Sequence, residues 1–377
     1  MNQNTERIVV YSHPGSVEAE FDHAATARRE TMVVVGVTAA ELEDTAPQTA
    51  LVLRQIALER TYIEHCSVDP APAAPRPGWL FGLSHRLRFL LTMLRKLRSA
   101  ETVCVVPLPD RFGVAPAMIT LVFARFLGKY TVLDCTSYYI EPVLEKWRRP
   151  LVPLMRCADR ILVTSPSLAE RIGKYGLDAL GVGPLLDSDS FECREVREVQ
   201  PKLLSVLPLE PSMNVGCVIQ AFRLVKQKYP RAELLIAGEG SQRDALESII
   251  AAERIGSVTF IGHVRHDEME CFFQQADLCV CGASRDDLPY SLFEALASGL
   301  PVVTTDAGAI PDYLTDGQTC LMVSLNDHVA MAEKVIALVE NPELTARLSR
   351  NGRRLAEQFS SDRKGSDIRR LYRRPAN

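Results

Sequence analysis

Two carboxylates eight residues apart, Asp286 and Glu294, are the groups in this chain whose types and spacing best suit chemistry. They lie in the stretch CGASRDDLPYSLFEALASGLPVVTT, Cys281 to Thr305. The apolar run Leu278 to Cys281 predicts a strand and a polar loop follows. Pro289 falls where a helix would begin, with Asp286 or Asp287 just ahead as its cap. A strand, a loop and a helix N-terminus in that order present unpaired backbone N–H groups to an anion, a geometry that suits a diphosphate. The spacing puts one acid in the loop and the other two turns along the helix, so the pair can accept hydrogen bonds from two separated hydroxyls of one ligand. A plainer reading has Asp286 and Asp287 only capping the helix and Glu294 solvated. Against it stand Phe293, Ala295 and Leu296, since a carboxylate among apolar side chains needs a partner.

Holding such a loop takes a parallel sheet, and the chain carries two series of strand-like runs. Ile8–Tyr11, Met32–Val35, Val103–Val106, Tyr130–Leu133 and Ile161–Val163 form the first; Leu203–Val206, Leu234–Ala237, Val258–Ile261, Leu278–Cys281 and Pro301–Thr304 form the second. Helix-length segments separate them, which predicts two consecutive doubly wound α/β domains, with ligands beyond the carboxyl ends of the strands. The domains are expected at residues 1–190 and 200–355, with 356–377 a helical tail returning to the first. Asp187 to Gln200 reads as the linker, and the four prolines of Pro70 to Pro77 as a loop.

With 377 residues, 47% of them hydrophobic and 24% charged, the chain is long enough for two such cores. A formal net charge of −4 argues against nucleic-acid binding, which needs a basic excess. The ten cysteines form no C-x-x-C pair or zinc-type set and read as reduced, mostly buried thiols. No apolar stretch approaches the ~20 residues that span a bilayer, and Ile8 to Tyr11 is too short for a signal core. The expectation is a cytosolic protein, peripheral on the inner face of a membrane if it touches one.

The text from about residue 160 to 360 closely resembles the family 4 retaining glycosyltransferases of the GT-B fold. It carries Leu209-Glu210-Pro211, Gln220-Ala221-Phe222, Ala237-Gly238-Glu239-Gly240 with Arg243, Val258-x-Phe260-x-Gly262, Ala276-Asp277, D-x7-E from Asp286 to Glu294, and Ala297 to Val303. The resemblance implies two Rossmann-like domains facing a central cleft. It also implies transfer of a hexose-type sugar from a nucleoside-diphosphate sugar to a sugar or lipid-linked acceptor hydroxyl, with retention and no obligatory metal, in polysaccharide or glycolipid assembly. By the same token Asp286 lies close to the donor sugar, Glu294 bonds the ribose, and backbone N–H groups near Pro289-Tyr290-Ser291 hold the phosphates. Gly238, Gly240, Gly262, Val264, Arg285 and Leu288 complete the donor contacts. As strand-end residues, Gly238 and Gly240 leave room for a ligand, although they also form ordinary turns.

One departure bears on catalysis. The family usually has an Arg and a Lys in the first loop of this domain to neutralise the diphosphate, and Pro208 and Met213 stand there instead. Losing both cations removes charge stabilisation worth several kcal/mol of barrier. Either Arg285 or Arg243 substitutes, or the enzyme is weak or inactive. A non-catalytic GT-B subunit that binds a nucleotide or a partner enzyme is therefore the rival reading, and a sugar-nucleotide epimerase fits less well.

In the first domain, His13 and Gly15 occupy the loop where the family approaches its acceptor. Asp134, ending the strand Tyr130–Leu133, is expected to point to the cleft as a catalytic candidate, as is Asp110; both also suit a capping role. Across Trp79 to Arg98, Leu83, Leu87, Leu90, Leu94 and Leu97 share one helical stripe, with Arg86, Arg88, Arg95 and Lys96 on other faces. Such a helix either lies on an anionic membrane or packs its leucines on the sheet.

Overall fold

A computed structural model of the chain describes residues 31–36, 62–67, 93–107, 111–136, 140–187, 191–193, 201–265, 268–283 and 288–375. The chain forms two units, changing over at Gly183–Pro184 and again at Lys364–Gly365. The changeovers differ from the sequence-derived limits because Leu186 and Ser360 bridge: Leu186 N donates to Phe359 O at 2.9 Å and Ser361 N to Leu186 O at 2.7 Å. Those bonds tie residues on both sides of the expected borders into the second unit.

In the first unit, β1 (Thr31–Gly36), β2 (Tyr62–Ser67), β3 (Thr102–Val105), β4 (Tyr130–Asp134), β5 (Arg160–Val163) and β6 (Ala179–Gly181) form a parallel sheet ordered β2-β1-β3-β4-β5-β6. Helices α1 (Arg111–Phe126), α2 (Glu141–Met155) and α3 (Pro166–Gly173) connect the later strands. Every residue of β3 and β4 is buried, which is why Val103–Val105 and Val132–Leu133 read as apolar; Thr102, Thr131 and Asp134 are buried polar exceptions. Residues 93–99 are helical; Met93 and Leu97 are fully buried and Leu94 packs on the same core. Over its described part the leucine stripe therefore faces the core, which corrects the membrane reading there; Trp79 to Thr92 lie outside the described residues.

In the second unit, β7 (Lys202–Val206), β8 (Glu233–Ala237), β9 (Val258–Gly262), β10 (Leu278–Cys281), β11 (Val302–Thr305) and β12 (Leu321–Val323) form a parallel sheet ordered β12-β11-β10-β7-β8-β9. The chain winds outward from β7 through β8 to β9, then returns to the other side of β7 with β10. Strand order thus reverses between β7 and β10, and in sheets of this kind the crevice beyond the carboxyl ends at that point takes the ligand. Helices α4 (Val215–Lys228), α5 (Arg243–Ala252), α6 (Met269–Gln275), α7 (Tyr290–Ala297), α8 (Ile310–Tyr313), α9 (His328–Glu340) and α10 (Pro342–Gln358) link or cover the strands. A last helix, α11 (Ser361–Leu371), leads into the first unit, where Tyr372 is almost wholly buried.

Candidate functional site

The loop leaving β7 does not splay away from its neighbour. Leu207 N donates to Ala237 O (3.1 Å), Leu209 N to Glu239 O (2.9 Å) and Gln242 N to Leu209 O (2.9 Å), so residues 207–209 keep running beside the loop after β8. This close approach explains Gly238 and Gly240. A methyl at Gly238 would overlap Leu207 O, and one at Gly240 would stand 2.5 Å from Leu209 O. The Cβ positions of these glycines are filled by the neighbouring loop, which agrees with their reading as turn-forming residues. Gly262 is glycine for its φ of +85°, and Gly238 N donates to its carbonyl at 2.8 Å. Val264 is half-buried against the core.

Charge in this loop is tied up locally. Glu210 accepts from Ser241 Oγ (2.6 Å) and Ser241 N (2.9 Å), and these bonds hold its carboxyl below the usual range. Pro208 is exposed while Met213 is buried in the core, so neither contributes charge and only position 208 faces water. Arg243 donates to Glu247 at 2.9 Å and stacks over the Phe260 ring at 5.5 Å, so the Arg243 alternative is already engaged on its own helix. Arg285, Asp286 and Asp287 lie outside the described residues.

At the reversal between β7 and β10 the two loops meet. Ser291 Oγ donates to Val206 O at 2.8 Å, pinning the first turn of α7 to the last residue of β7. A methyl at Gly282, just after β10, would come within 2.7 Å of Asn214 O. Asn214 starts α4 with a left-handed backbone (φ 49°, ψ 39°) and no side-chain cap, its amide instead donating to Asn326 Oδ1 at 3.1 Å. Pro289 is itself the cap residue of α7, in place of the aspartate expected there, and its carbonyl accepts Leu292 N at 3.0 Å. Two helices thus begin at the same crevice, and the first N–H groups of a helix lack intrahelical acceptors. Because its hydroxyl proton is committed to Val206, Ser291 can offer an anion only its N–H. Leu288 is buried in the core, while Tyr290 is half-buried.

Glu294 lies one turn into α7 and is 9% exposed. Every residue from Leu292 to Ala297 is buried, a helix surrounded by protein as an all-round apolar sequence demands. Burial first, then Cys281 and Glu294, push the Cys279 thiol on β10 far up. The far end of α7 is clamped by α10. Arg353 Nη1 donates to Ala297 O and to Phe191 O (3.1 Å), Ser349 Oγ donates to Gly299 O (2.6 Å), and a methyl at Gly352 would press on Leu296. A cation on terminal carbonyls also complements the helix dipole. Thr305 Oγ1 donates to Ala283 O, fixing the start of the loop that carries Asp286. Sequence reasoning missed Ser291–Val206 and Asn214, whose importance rests on the β7–β10 pairing, although a glycine directly after the run Leu278–Cys281 was a visible sign of close approach.

Of the two readings of Asp134, the structure shows the capping one. It is fully buried; Oδ2 accepts from Tyr372 Oη (2.6 Å), and Oδ1 from Thr136 Oγ1 (2.6 Å) and Thr136 N (3.0 Å). A carboxylate bonded this way anchors the tail of its own unit. His13, Gly15 and Asp110 lie outside the described residues. Among the described residues no group of three His, Cys, Asp or Glu could hold a metal ion, the cysteines are free thiols, and no helix is long and apolar enough to cross a membrane.

Two doubly wound parallel sheets, the second with a crevice framed by helix N-termini, define the GT-B class of fold. Solved structures share it: a sucrose-phosphate synthase from Thermosynechococcus elongatus has a TM-score of 0.70 at 14% identity, over 91% of this chain and 98% of that one. HepE from Anabaena, solved with UDP and glucose, has a TM-score of 0.68 at 15% identity, over 90% and 97%. Residues 189–355, within the unit that holds the crevice, match the family model described as glycosyl transferases group 1. The chain is also similar to the glycogen synthase of Mycobacterium tuberculosis, 30% identical over 252 residues, 64% of this chain and 59% of the relative. It spans about half the length of the first curated relatives it matches.

Proposed function

We propose that the chain is a retaining glycosyltransferase that moves a hexose-type sugar from a nucleoside-diphosphate sugar to the hydroxyl of a sugar or lipid-linked acceptor, in polysaccharide or glycolipid assembly. The observation that carries this reading is Glu294: a carboxylate buried one turn inside the helix that opens at the β7–β10 reversal, within the segment that matches the transferase family. In this reading Glu294 accepts from the ribose hydroxyls, and the opening N–H groups of α7 take up charge on the departing diphosphate. Asp286 meets the donor sugar. The bond from anomeric carbon to phosphate oxygen breaks, the acceptor oxygen bonds on the same face, and the phosphate oxygen takes the acceptor proton. No protein nucleophile and no obligatory metal enter this scheme.

The names of the relatives support sugar transfer, and HepE supports UDP as one nucleotide to try. Thermal-shift measurements with UDP, GDP, ADP and dTDP test the reading, because a ligand that binds only the folded state raises its melting temperature. A second reading, a non-catalytic nucleotide-binding subunit, is favoured by exposed Pro208 and buried Met213, which leave the first loop without its cations. Slow donor hydrolysis without acceptor separates the two, since a working transferase releases free sugar.

A further inference from the structure

A strongly basic face lies on the first unit, on residues that the proposed transfer does not use. Helix α2 contains the run Lys146-Trp147-Arg148-Arg149, all four exposed. Trp147 departs from helical geometry (φ −119°, ψ 25°). Pro150 accounts for this: its ring collides with the carbonyl four residues back, at Lys146, and it has no N–H to return a bond. The resulting kink leaves the indole 54% exposed, on a residue type that is usually well covered.

Beside the kink is a basin of about 380 Å³ lined by Arg148, Arg149, Val152, Pro153, Lys174 and Tyr175. Among the described residues, three cations line it and no carboxylate does. The basin is built rather than incidental. Arg156 Nε donates to Gly176 O at 3.2 Å, clamping the turn that carries Lys174 and Tyr175 against the end of α2, and Arg171 Nε binds Glu141 Oε2 at 3.0 Å, holding α3 to its start. The acids near the ends of α2 are spent: Glu141 on Arg171, and Asp159 on Arg125. Glu145 is exposed beside Lys146 and outside the basin lining.

We infer that this face docks on an anionic lipid bilayer, with lipid phosphate in the Arg148–Arg149–Lys174 basin and the Trp147 indole in the interface. Cations beside an exposed tryptophan match a surface that is anionic above and apolar beneath, since indole settles at the headgroup level. A soluble phosphate compound would satisfy the cations and leave Trp147 without a role. The face is distinct from residues 79–98, and its behaviour does not depend on transfer activity.

The test uses the full chain carrying Trp79→Phe, so that Trp147 is the sole tryptophan, mixed with vesicles of phosphatidylglycerol and phosphatidylcholine. The expected result is a blue shift and loss of water-soluble quenching of Trp147, together with co-sedimentation. These appear with the mixed vesicles and not with phosphatidylcholine alone, and they weaken with salt. Combined Arg148→Glu, Arg149→Glu and Lys174→Glu weakens partitioning by ~100-fold or more, at roughly fivefold per cation. Should the triple variant misfold, Arg148→Gln with Arg149→Gln gives a smaller loss in the same direction. Wild type that neither shifts nor sediments, folded variants that sediment as wild type does, or reversal by millimolar inorganic pyrophosphate at constant ionic strength would each overturn the proposal.

Discussion

The hydroxyl of Tyr372 donates to Asp134 Oδ2 at 2.6 Å, across 238 residues of sequence, and both side chains are buried. A carboxylate at the end of a central strand thus receives the last helix of the chain. Removing the donor takes one hydrogen bond from a buried carboxylate, at a cost of about 1 to 3 kcal/mol. Tyr372→Phe is therefore expected to lower the urea midpoint of unfolding without changing the slope. An unchanged midpoint would mean that the tail is not held by this bond.

Gly238 and Gly128 both have positive φ, 143° and 68°, but differ in surroundings. Alanine at Gly128 meets nothing within 4 Å and bears only backbone strain, about 1 to 2 kcal/mol. At Gly238 the added methyl also meets the Leu207 carbonyl, and the expected loss is ~3 kcal/mol or more. Chemical denaturation of the two variants side by side checks the order, and equal losses would mean that the 207–209 loop yields freely.

The missing cations lead to an unequal pair of substitutions. Pro208 is exposed, so Pro208→Arg is expected to tighten nucleoside-diphosphate binding without destabilising the fold. Met213 is buried, so Met213→Lys forces an ammonium into the core and should lower the melting temperature. Calorimetry with UDP, beside thermal melts, distinguishes them. No gain from Pro208→Arg would show that the phosphate pocket has been rebuilt.

Buried thiols set an alkaline limit. Burial raises Cys281 and Cys217 from 9.0 to about 11 and Cys320 to about 12. Because the unfolded thiols ionise first, their contribution to stability is present below pH 9 and is lost as pH rises from there through about 11 to 12. Stability measured by urea at successive pH values should fall over that window. At pH 8 in the native state a thiol reagent should react fast with exposed Cys193 and Cys271 and slowly with these three.

Much of this was legible in the sequence for a physical reason. Strands buried on both faces, such as Val132–Leu133 and Val302–Val303, must be apolar throughout, so they show as runs. β2 (Tyr62–Ser67) contains Glu64 and His65 and gave no such run. The importance of Ser291 and Asn214 depends on β10 lying beside β7, a pairing between residues 75 apart in the chain (Leu204 with Cys279), which local pattern cannot reveal. The two readings of Gly238 and Gly240 could not be separated in the sequence, because a ligand and a neighbouring loop make the same demand on a glycine. The capping role of Asp134 was legible, but its bond to Tyr372 was not, because nothing near it in sequence announces that partner.

Asp286 and Glu294 should separate kinetically. Asp286→Asn is expected to depress turnover more than nucleotide affinity, since the proposed contact is to the sugar. Equal turnover would move that contact elsewhere, with Asp287 the next candidate.

The most direct test is the affinity of Glu294→Ala for the nucleoside diphosphate that most raises the melting temperature of wild type. If Glu294 accepts from the ribose, titration calorimetry will show binding weaker by roughly 1 to 3 kcal/mol, about 5- to 150-fold, in a protein that still melts cooperatively. Affinity equal to wild type in a folded variant would contradict the assignment of the crevice between β7 and β10 as the nucleotide site.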